Sequence, residues 1–64
     1  MTCDVHNQLR RAREQNGWSQ RQLARAAGMH HPTINSIETG KRVPTLHTMR
    51  RLARALHVEI ADLL

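Results

Sequence analysis

The sequence predicts an all-α fold, built as one compact domain of five short helices over residues 1–64. It contains one tryptophan and no phenylalanine or tyrosine, so the core must consist of aliphatic residues, methionine and alanine. That composition suits helices more than strands. Apolar residues recur at three- and four-residue spacings, and glycine, serine and threonine stand where helices should end or begin. A chain of this length has room for one small core shared by several helices.

The first predicted helix covers residues 4–16. Val5, Leu9 and Ala12 recur at the spacing of one buried helical face. Asp4 is a suitable cap for its first turn. This helix should bury one apolar stripe and leave its flanking arginines in solvent.

Two further helices are predicted over residues 20–27 and 31–38. Ser19 precedes the first of them and Gln22 lies three residues later, which is the capping-box pattern. In that pattern each side chain satisfies a free backbone N–H of the other residue. Gly28 suits the sharp turn between the two helices, because glycine takes a positive φ without steric cost.

These two helices are expected to cross at a steep angle. Ala24 is small enough to let Ile34 pack above it. Ile34 and Ile37 give the second of the two helices one apolar face. This arrangement predicts a helix-turn-helix unit, in which the second helix enters the major groove of DNA.

The remaining chain predicts two more helices, over residues 46–56 and 59–63. Pro44 prevents the preceding helix from continuing, and Thr45 is a good N-cap for the next one. The apolar stripe of that helix consists of Leu46, Met49, Leu52, Ala53 and Leu56. The last segment holds more apolar residues than one short helix can bury against its own domain.

The charge balance indicates a polyanionic partner. Ten Lys and Arg against five Asp and Glu give a net charge of +5, which suits nucleic acid or an anionic membrane surface. No apolar run reaches the ~20 residues of a membrane span, and no signal-peptide pattern opens the chain, so nucleic acid is favoured. The single cysteine, Cys3, allows no internal disulfide, which indicates the cytoplasm.

Neither enzymatic activity nor a metal or cofactor is expected. The sequence offers no carboxylate pair, no glycine loop that could cradle phosphate and no nucleophile with a base. Cys3 and His6 are the only pair with metal-ligand spacing, and no second pair could close a tetrahedral site.

From about Leu9 to Leu64 the chain resembles the XRE-type DNA-binding domain of phage repressors and Cro proteins. The resemblance rests on Arg13 in the first helix, the run WSQRQLARAAG, the continuation TINSIETGKRVPTLHTMRRLARAL and the closing EIADLL. It implies a compact five-helix, lambda-repressor-like fold that binds double-stranded DNA in a sequence-specific manner. The implied role is a transcriptional regulator, most often a repressor that binds a pseudo-palindromic operator as a dimer.

Two other roles are compatible with the same domain. An antitoxin or controller protein would regulate its own promoter and use a protein partner. A protein-interaction adapter would keep the fold with little DNA readout. Steep salt dependence of DNA binding would separate both kinds of regulator from the adapter, because released counterions drive binding to DNA.

The resemblance assigns base readout to the opening residues of the third helix. A histidine there, His31, could donate to guanine, and Asn35 could read adenine through two hydrogen bonds. Pro32 and the methyl group of Thr33 could pack on a thymine methyl. The predicted base-reading set is His31, Pro32, Thr33, Asn35 and Ser36. Thr33 and Ser36 could contact phosphate instead.

Phosphate contacts are expected on both sides of that helix. The N-terminus of the second helix offers free backbone donors and the positive end of its dipole. In the resembled family a glutamine at the position of Gln20 adds its side-chain amide to the same phosphate. The predicted phosphate-binding set is Gln20, Arg21, His30, Lys41 and Arg42.

The resemblance also implies an ion pair between Arg13 and Glu38. A carboxylate at the C-terminus of the third helix faces the negative end of the dipole and needs a compensating cation. Trp18 occupies a position that is usually leucine in the family, so we expect it to lie in the core and shield this pair.

A homodimer is the further implication, because the C-terminal corner joins two protomers in the resembled family. The predicted dimer contact consists of Val58, Ile60, Leu63 and Leu64. A longer parent chain could cover the same surface. Two histidines depart from the family pattern. His30 replaces the usual serine or threonine cap of the third helix, and His57 stands where glycine usually follows the fourth.

Overall fold

Four α-helices and one short 3-10 helix form the regular structure of residues 5–64, the part of the chain that this computed structural model describes. The α-helices are α1 (Val5–Gln15), α2 (Gln20–Ala27), α3 (His31–Glu38) and α4 (Leu46–Leu56), and the 3-10 helix covers Ile60–Leu63. The all-α prediction is confirmed, with no strand among the described residues. The segment predicted as a fifth helix forms a 3-10 turn of four residues. Asp4, the suggested cap of α1, and Cys3 lie outside the described residues.

The core lies where the helices meet in pairs. Helix α2 packs on α3 and α4, α1 packs on α3, and the 3-10 helix packs against both α1 and α4. The largest fully buried side chains are Leu9, Leu23, Ile34, Ile37, Leu52, Leu56 and Leu63. Every helix contributes at least one of them, and full burial of each such side chain is worth about 1.5–3 kcal/mol. The small core therefore depends on all of the elements together.

Local hydrogen bonds fix both ends of α2. The Oγ of Ser19 accepts from the backbone N–H of Gln22 at 3.1 Å, and the backbone N–H of Ser19 donates to Oε1 of Gln22 at 2.7 Å. At the other end Gly28 takes the left-handed conformation with φ 67°. The predicted capping box and the predicted positive-φ turn are both confirmed, and the turn leads directly into α3.

Helix α4 begins as predicted, but its buried stripe is shorter. Thr45 caps the helix, because its Oγ1 accepts from the backbone N–H of Thr48 at 3.2 Å. Leu46, the first residue of α4, is 56% exposed and lies outside the stripe. The buried side of the helix starts one turn later, at Met49.

The structure corrects the prediction that Leu63 faces a second protomer. Leu63 is 1% exposed and belongs to the core. The chain turns back sharply there, with the backbone N–H of Glu59 donating to Oδ2 of Asp62 at 3.0 Å, and the turn packs Leu63 inward. The other members of the predicted dimer contact are the half-buried Val58 and Ile60 and the exposed Leu64.

His57 ends α4 in a strained conformation. Its φ is 58°, in the left-handed region, and it is the one residue other than glycine with a positive φ between residues 5 and 64. A side chain with a Cβ pays about 1–2 kcal/mol for that conformation. The histidine that stands here in place of the glycine usual in the resembled family therefore destabilises the folded backbone.

None of the helices in the described range combines the length and the apolar character needed to cross a bilayer.

Candidate nucleic-acid interface

Helix α3 has one buried side and one polar side. Ile34, Ile37 and Glu38 are buried against the rest of the bundle. Each of the predicted base-reading residues retains exposed surface: Pro32 and Asn35 are exposed, and His31, Thr33 and Ser36 are half-buried. The polar side of α3 is therefore open to a ligand.

The N-terminus of α3 has no side-chain cap. His30 occupies the N-cap position with extended backbone, and its side chain makes no capping hydrogen bond. Pro32 follows within the first turn, where its missing N–H costs nothing. The end of the helix that carries the predicted base-reading residues is thus left without a side-chain partner for its free backbone donors.

Exposed cations flank α3. Arg21 lies in the first turn of α2, and Lys41 and Arg42 lie in the loop between α3 and α4. The backbone N–H groups of Lys41 and Arg42 donate to the carbonyl oxygen of Ser36 at 2.9 and 3.1 Å, which holds that loop against the end of α3. Within residues 5–64 none of these three cations pairs with a carboxylate, so their charges are available to an anion.

Arg13 and Glu38 form a bidentate ion pair that joins α1 to α3. Arg13 Nε donates to Glu38 Oε2 at 2.7 Å, and Arg13 Nη2 donates to Glu38 Oε1 at 2.9 Å. The side chains are 12% and 2% exposed, respectively. Arg13 Nη1 also donates to the carbonyl oxygen of Trp18 at 2.7 Å. Hydrogen bonding to the Glu38 carboxylate raises the pKa of Arg13 above its ordinary value, against the opposing effect of burial.

The side chain of Gln20 is engaged inside the molecule, a feature that the sequence analysis missed. Its Nε2 donates to Glu38 Oε1 at 3.1 Å. Its Oε1 lies 3.1 Å from His31 Nε2 and accepts from Asn35 Nδ2 at 3.3 Å. One N–H of the amide is left for the phosphate contact that the resemblance implies. The structure thus brings a predicted phosphate-binding residue together with two predicted base-reading residues.

Trp18 lies half-buried against the core, between α1 and α2. It also lines an open groove of about 430 Å³ whose other walls include Arg51, Arg54 and His57. Arg51 Nη2 donates to the carbonyl oxygen of Gly28 at 3.1 Å, so one of these arginines supports the turn between α2 and α3.

No group of three or more His, Cys, Asp or Glu side chains that could hold a metal ion occurs in the described part of the chain.

Comparison with known proteins identifies the family. The family model described as helix-turn-helix matches residues 9–63. The chain belongs to the helix-turn-helix family. Its relatives include the control protein C.SmaI of Serratia marcescens, which is 41% identical over 56 residues, spanning 88% of this chain and 67% of that protein. The antitoxin HipB of Escherichia coli is 32% identical over 54 residues, spanning 84% of this chain and 61% of HipB.

Some relatives of this helix-turn-helix chain are much longer. The uncharacterized transcriptional regulator y4dL of Sinorhizobium fredii is 41% identical over 59 residues, which are 92% of this chain but 30% of that protein. A similar solved structure is the restriction-modification controller protein C.AhdI from Aeromonas hydrophila. It aligns with a TM-score of 0.92 and 31% identity over 97% of this chain and 94% of C.AhdI.

Proposed function

We propose that this chain binds double-stranded DNA in a sequence-specific manner and regulates transcription, with α3 in the major groove. The observation that carries the proposal is the polar side of α3, left open between exposed, unpaired cations on α2 and on the α3–α4 loop. An α-helix fits the major groove, where base edges present distinct hydrogen-bonding patterns. Membership of the helix-turn-helix family supports the same assignment.

The proposed contacts divide into two groups. Phosphates on either side of the groove are bound by Gln20, Arg21, His30, Lys41 and Arg42. Bases are read by His31, Pro32, Thr33, Asn35 and Ser36. The N-terminus of α2 supplies additional backbone donors, since its first N–H groups point out of the helix.

The biological role that we favour is a repressor acting as a homodimer on a pseudo-palindromic operator, without enzymatic activity and within the cytoplasm. The whole chain would then be one domain, with Ile60–Leu63 in the place of the fifth helix of the lambda-repressor-like fold. With Leu63 in the core, the proposed dimer contact rests on the exposed Leu64 and on the exposed parts of Val58 and Ile60.

A controller or antitoxin role is the second candidate. Two proteins named as controllers, C.SmaI and C.AhdI, and the antitoxin HipB are among its relatives. In that role the same α3 surface would bind the protein's own promoter, and an antitoxin would also bind a protein partner. An adapter with little DNA readout would differ from both by weak, sequence-indifferent DNA binding.

Selection of bound sites from random duplex DNA tests the proposal. The protein should enrich one motif, repeated with two-fold symmetry if a dimer binds. Lys41→Ala and Arg42→Ala should each weaken binding to every sequence and reduce the slope of log K against log salt by about 0.9. Arg54→Ala removes the same charge from the Trp18 groove and serves as the control, with the slope unchanged. An unenriched pool would reject sequence-specific regulation.

A further inference from the structure

Only one assignment of donors and acceptors is possible for the hydrogen bonds between α2 and α3. The carboxylate of Glu38 has no proton to donate, and it already accepts two hydrogen bonds from Arg13. The group of Gln20 that faces this carboxylate at 3.1 Å must therefore be the N–H donor, Nε2. The orientation of a glutamine amide is often ambiguous, but here the chemistry of its partner decides it.

This orientation makes Gln20 Oε1 the acceptor that faces α3. His31 Nε2 lies 3.1 Å from Oε1 and must carry a proton to bond with it. A neutral imidazole has one N–H, so the other nitrogen, Nδ1, then carries a lone pair. Among residues 5–64 no side chain or backbone group bonds to Nδ1. In its neutral form His31 therefore offers an acceptor.

The same oxygen orients Asn35. The Nδ2 of Asn35 donates one N–H to Gln20 Oε1 at 3.3 Å. Asn35 is exposed, and its other N–H and its Oδ1 have no partner among residues 5–64. That donor and acceptor pair is the one that matches N7 and N6 of adenine.

We propose that Gln20 is a specificity-determining residue, because it fixes the hydrogen-bonding direction of His31 and Asn35, two of the five side chains proposed to read bases. Neutral His31 then accepts from the exocyclic amine of adenine or cytosine, rather than donating to guanine as the sequence analysis expected. Asn35 retains its adenine contact. The inference rests on the proposed function, and it adds which base edges α3 reads and why.

Protonation of His31 changes which base its second ring nitrogen, Nδ1, can bond. The bond from Nε2 to Gln20 is unchanged, whereas Nδ1 gains a proton and becomes a donor suited to N7 or O6 of guanine. The charges linked to His31 through Gln20 are the carboxylate of Glu38 on α3 and the guanidinium of Arg13 on α1. Arg21 and His30 are the titratable neighbours of Gln20 and His31 along the chain. Lowering the pH should therefore change which base is preferred, not only the affinity.

The free protein provides the first test. Nitrogen-15 NMR of the imidazole rings at pH 8 distinguishes the two neutral tautomers of His31, and His31→Ala assigns the signal. We expect the wild type to hold the Nε2–H tautomer, and Gln20→Met to raise the fraction of the Nδ1–H tautomer. Gln8→Met, the same substitution at a half-buried site on α1, should leave the ratio unchanged. A wild-type Nδ1–H tautomer, or a ratio that Gln20→Met does not alter, would overturn the proposal.

Selection from random duplex DNA at pH 8 and pH 6 provides the second test. The base position read by His31 is the one whose preference His31→Ala abolishes. There the wild type at pH 8 should favour adenine or cytosine over guanine by about tenfold, since one well-made contact is worth about 1–3 kcal/mol. At pH 6 the preference for guanine at that position should increase. Gln20→Met should reduce the pH 8 preference to less than about twofold, while Gln8→Met keeps it.

The outcomes separate this proposal from the function on which it rests. A wild type that selects a clear motif with guanine at that position at pH 8 would overturn the role of Gln20 and leave sequence-specific binding intact. A wild type that enriches no motif would reject both.

Discussion

Helices α2 and α3 have the same length of eight residues, yet they are stabilised in different ways. Helix α2 has a complete capping box at its start and a left-handed glycine at its end. Helix α3 has no side-chain cap at its start. It is held by the burial of Ile34 and Ile37 and by the bonds of Glu38 to α1 and α2. Helix α2 is stabilised by local hydrogen bonds. Helix α3, which carries the proposed base-reading residues, depends on its contacts with the rest of the bundle and keeps its N-terminus open.

The largest effect on stability should follow from breaking the Arg13–Glu38 ion pair, which holds α3 against α1. Arg13→Ala leaves Glu38 buried without a cation, which should lower the free energy of unfolding by about 3–5 kcal/mol. Urea denaturation measures this loss. Because the pKa of Arg13 is raised in the folded state, its contribution should be fully present below the ordinary arginine pKa and lost only as the pH rises through the folded value.

Two variants sharpen this first prediction. Arg10→Ala removes an exposed arginine from the same helix and should change stability by less than about 0.5 kcal/mol. The double variant Arg13→Met, Glu38→Leu removes both charges and should recover most of the loss, since an apolar pair can replace a buried ion pair. If Arg13→Ala were as mild as Arg10→Ala, α3 would not depend on the pair.

Removing the cap of α2 should have a smaller effect. Ser19→Ala deletes the acceptor for the backbone N–H of Gln22 and should cost about 1 kcal/mol. Thermal or urea unfolding provides the measurement. Because Ser19 contacts none of the proposed reading residues, DNA affinity measured well below the unfolding transition should change by less than about twofold.

Adding a cap to α3 should act in the opposite direction. His30→Ser supplies the side-chain acceptor that the N-terminus lacks and should raise the free energy of unfolding by about 0.5–1 kcal/mol. The same variant should bind DNA more weakly, because His30 is a proposed phosphate contact. A parallel gain in stability and affinity would contradict the view that this end is left open for a ligand.

Protonation of a histidine at the N-terminus of α3 should tighten non-specific binding to DNA. Protonation gives a histidine a positive charge, and a charge within about 4 Å of phosphate is worth about 1 kcal/mol in water. Affinity for random duplex DNA should therefore rise about fivefold. His30→Ala should remove most of this rise, and an equally steep pH profile in that variant would assign the effect elsewhere.

The smallest effect concerns the end of α4. His57→Gly relieves the left-handed backbone at φ 58° and should stabilise the protein by about 0.5 kcal/mol, because the greater freedom of glycine in the unfolded chain offsets part of the relief. Differential scanning calorimetry would detect the higher Tm. His47→Gly, at an exposed site in the first turn of α4, is the control and should destabilise by less than about 0.5 kcal/mol.

Features encoded by neighbouring residues could be predicted from the sequence. Ser19 with Gln22, Gly28 and Thr45 each act through bonds within a few residues, and all three occur as predicted. The contacts of Gln20 with His31, Asn35 and Glu38 join residues 11, 15 and 18 positions apart. They depend on how α2 and α3 cross, which the local pattern does not specify.

The predictions for Leu63 and Leu46 were wrong because burial, too, depends on how the elements pack together. The number of apolar residues in the last segment predicted that some of them would remain exposed, but it did not indicate that one tight turn would direct Leu63 into the core. Leu46 fits the helical spacing of α4 and yet lies before the packed part of that helix. Periodicity identifies a face, whereas burial also requires another element opposite that face.

The position of Trp18 has a practical consequence. It is the only Trp, Tyr or Phe in the chain, and its own carbonyl holds the guanidinium that anchors α1. The ultraviolet emission of the protein therefore comes from one indole at the junction of α1 and α2. Detachment of α1 could be followed in real time without attaching a dye.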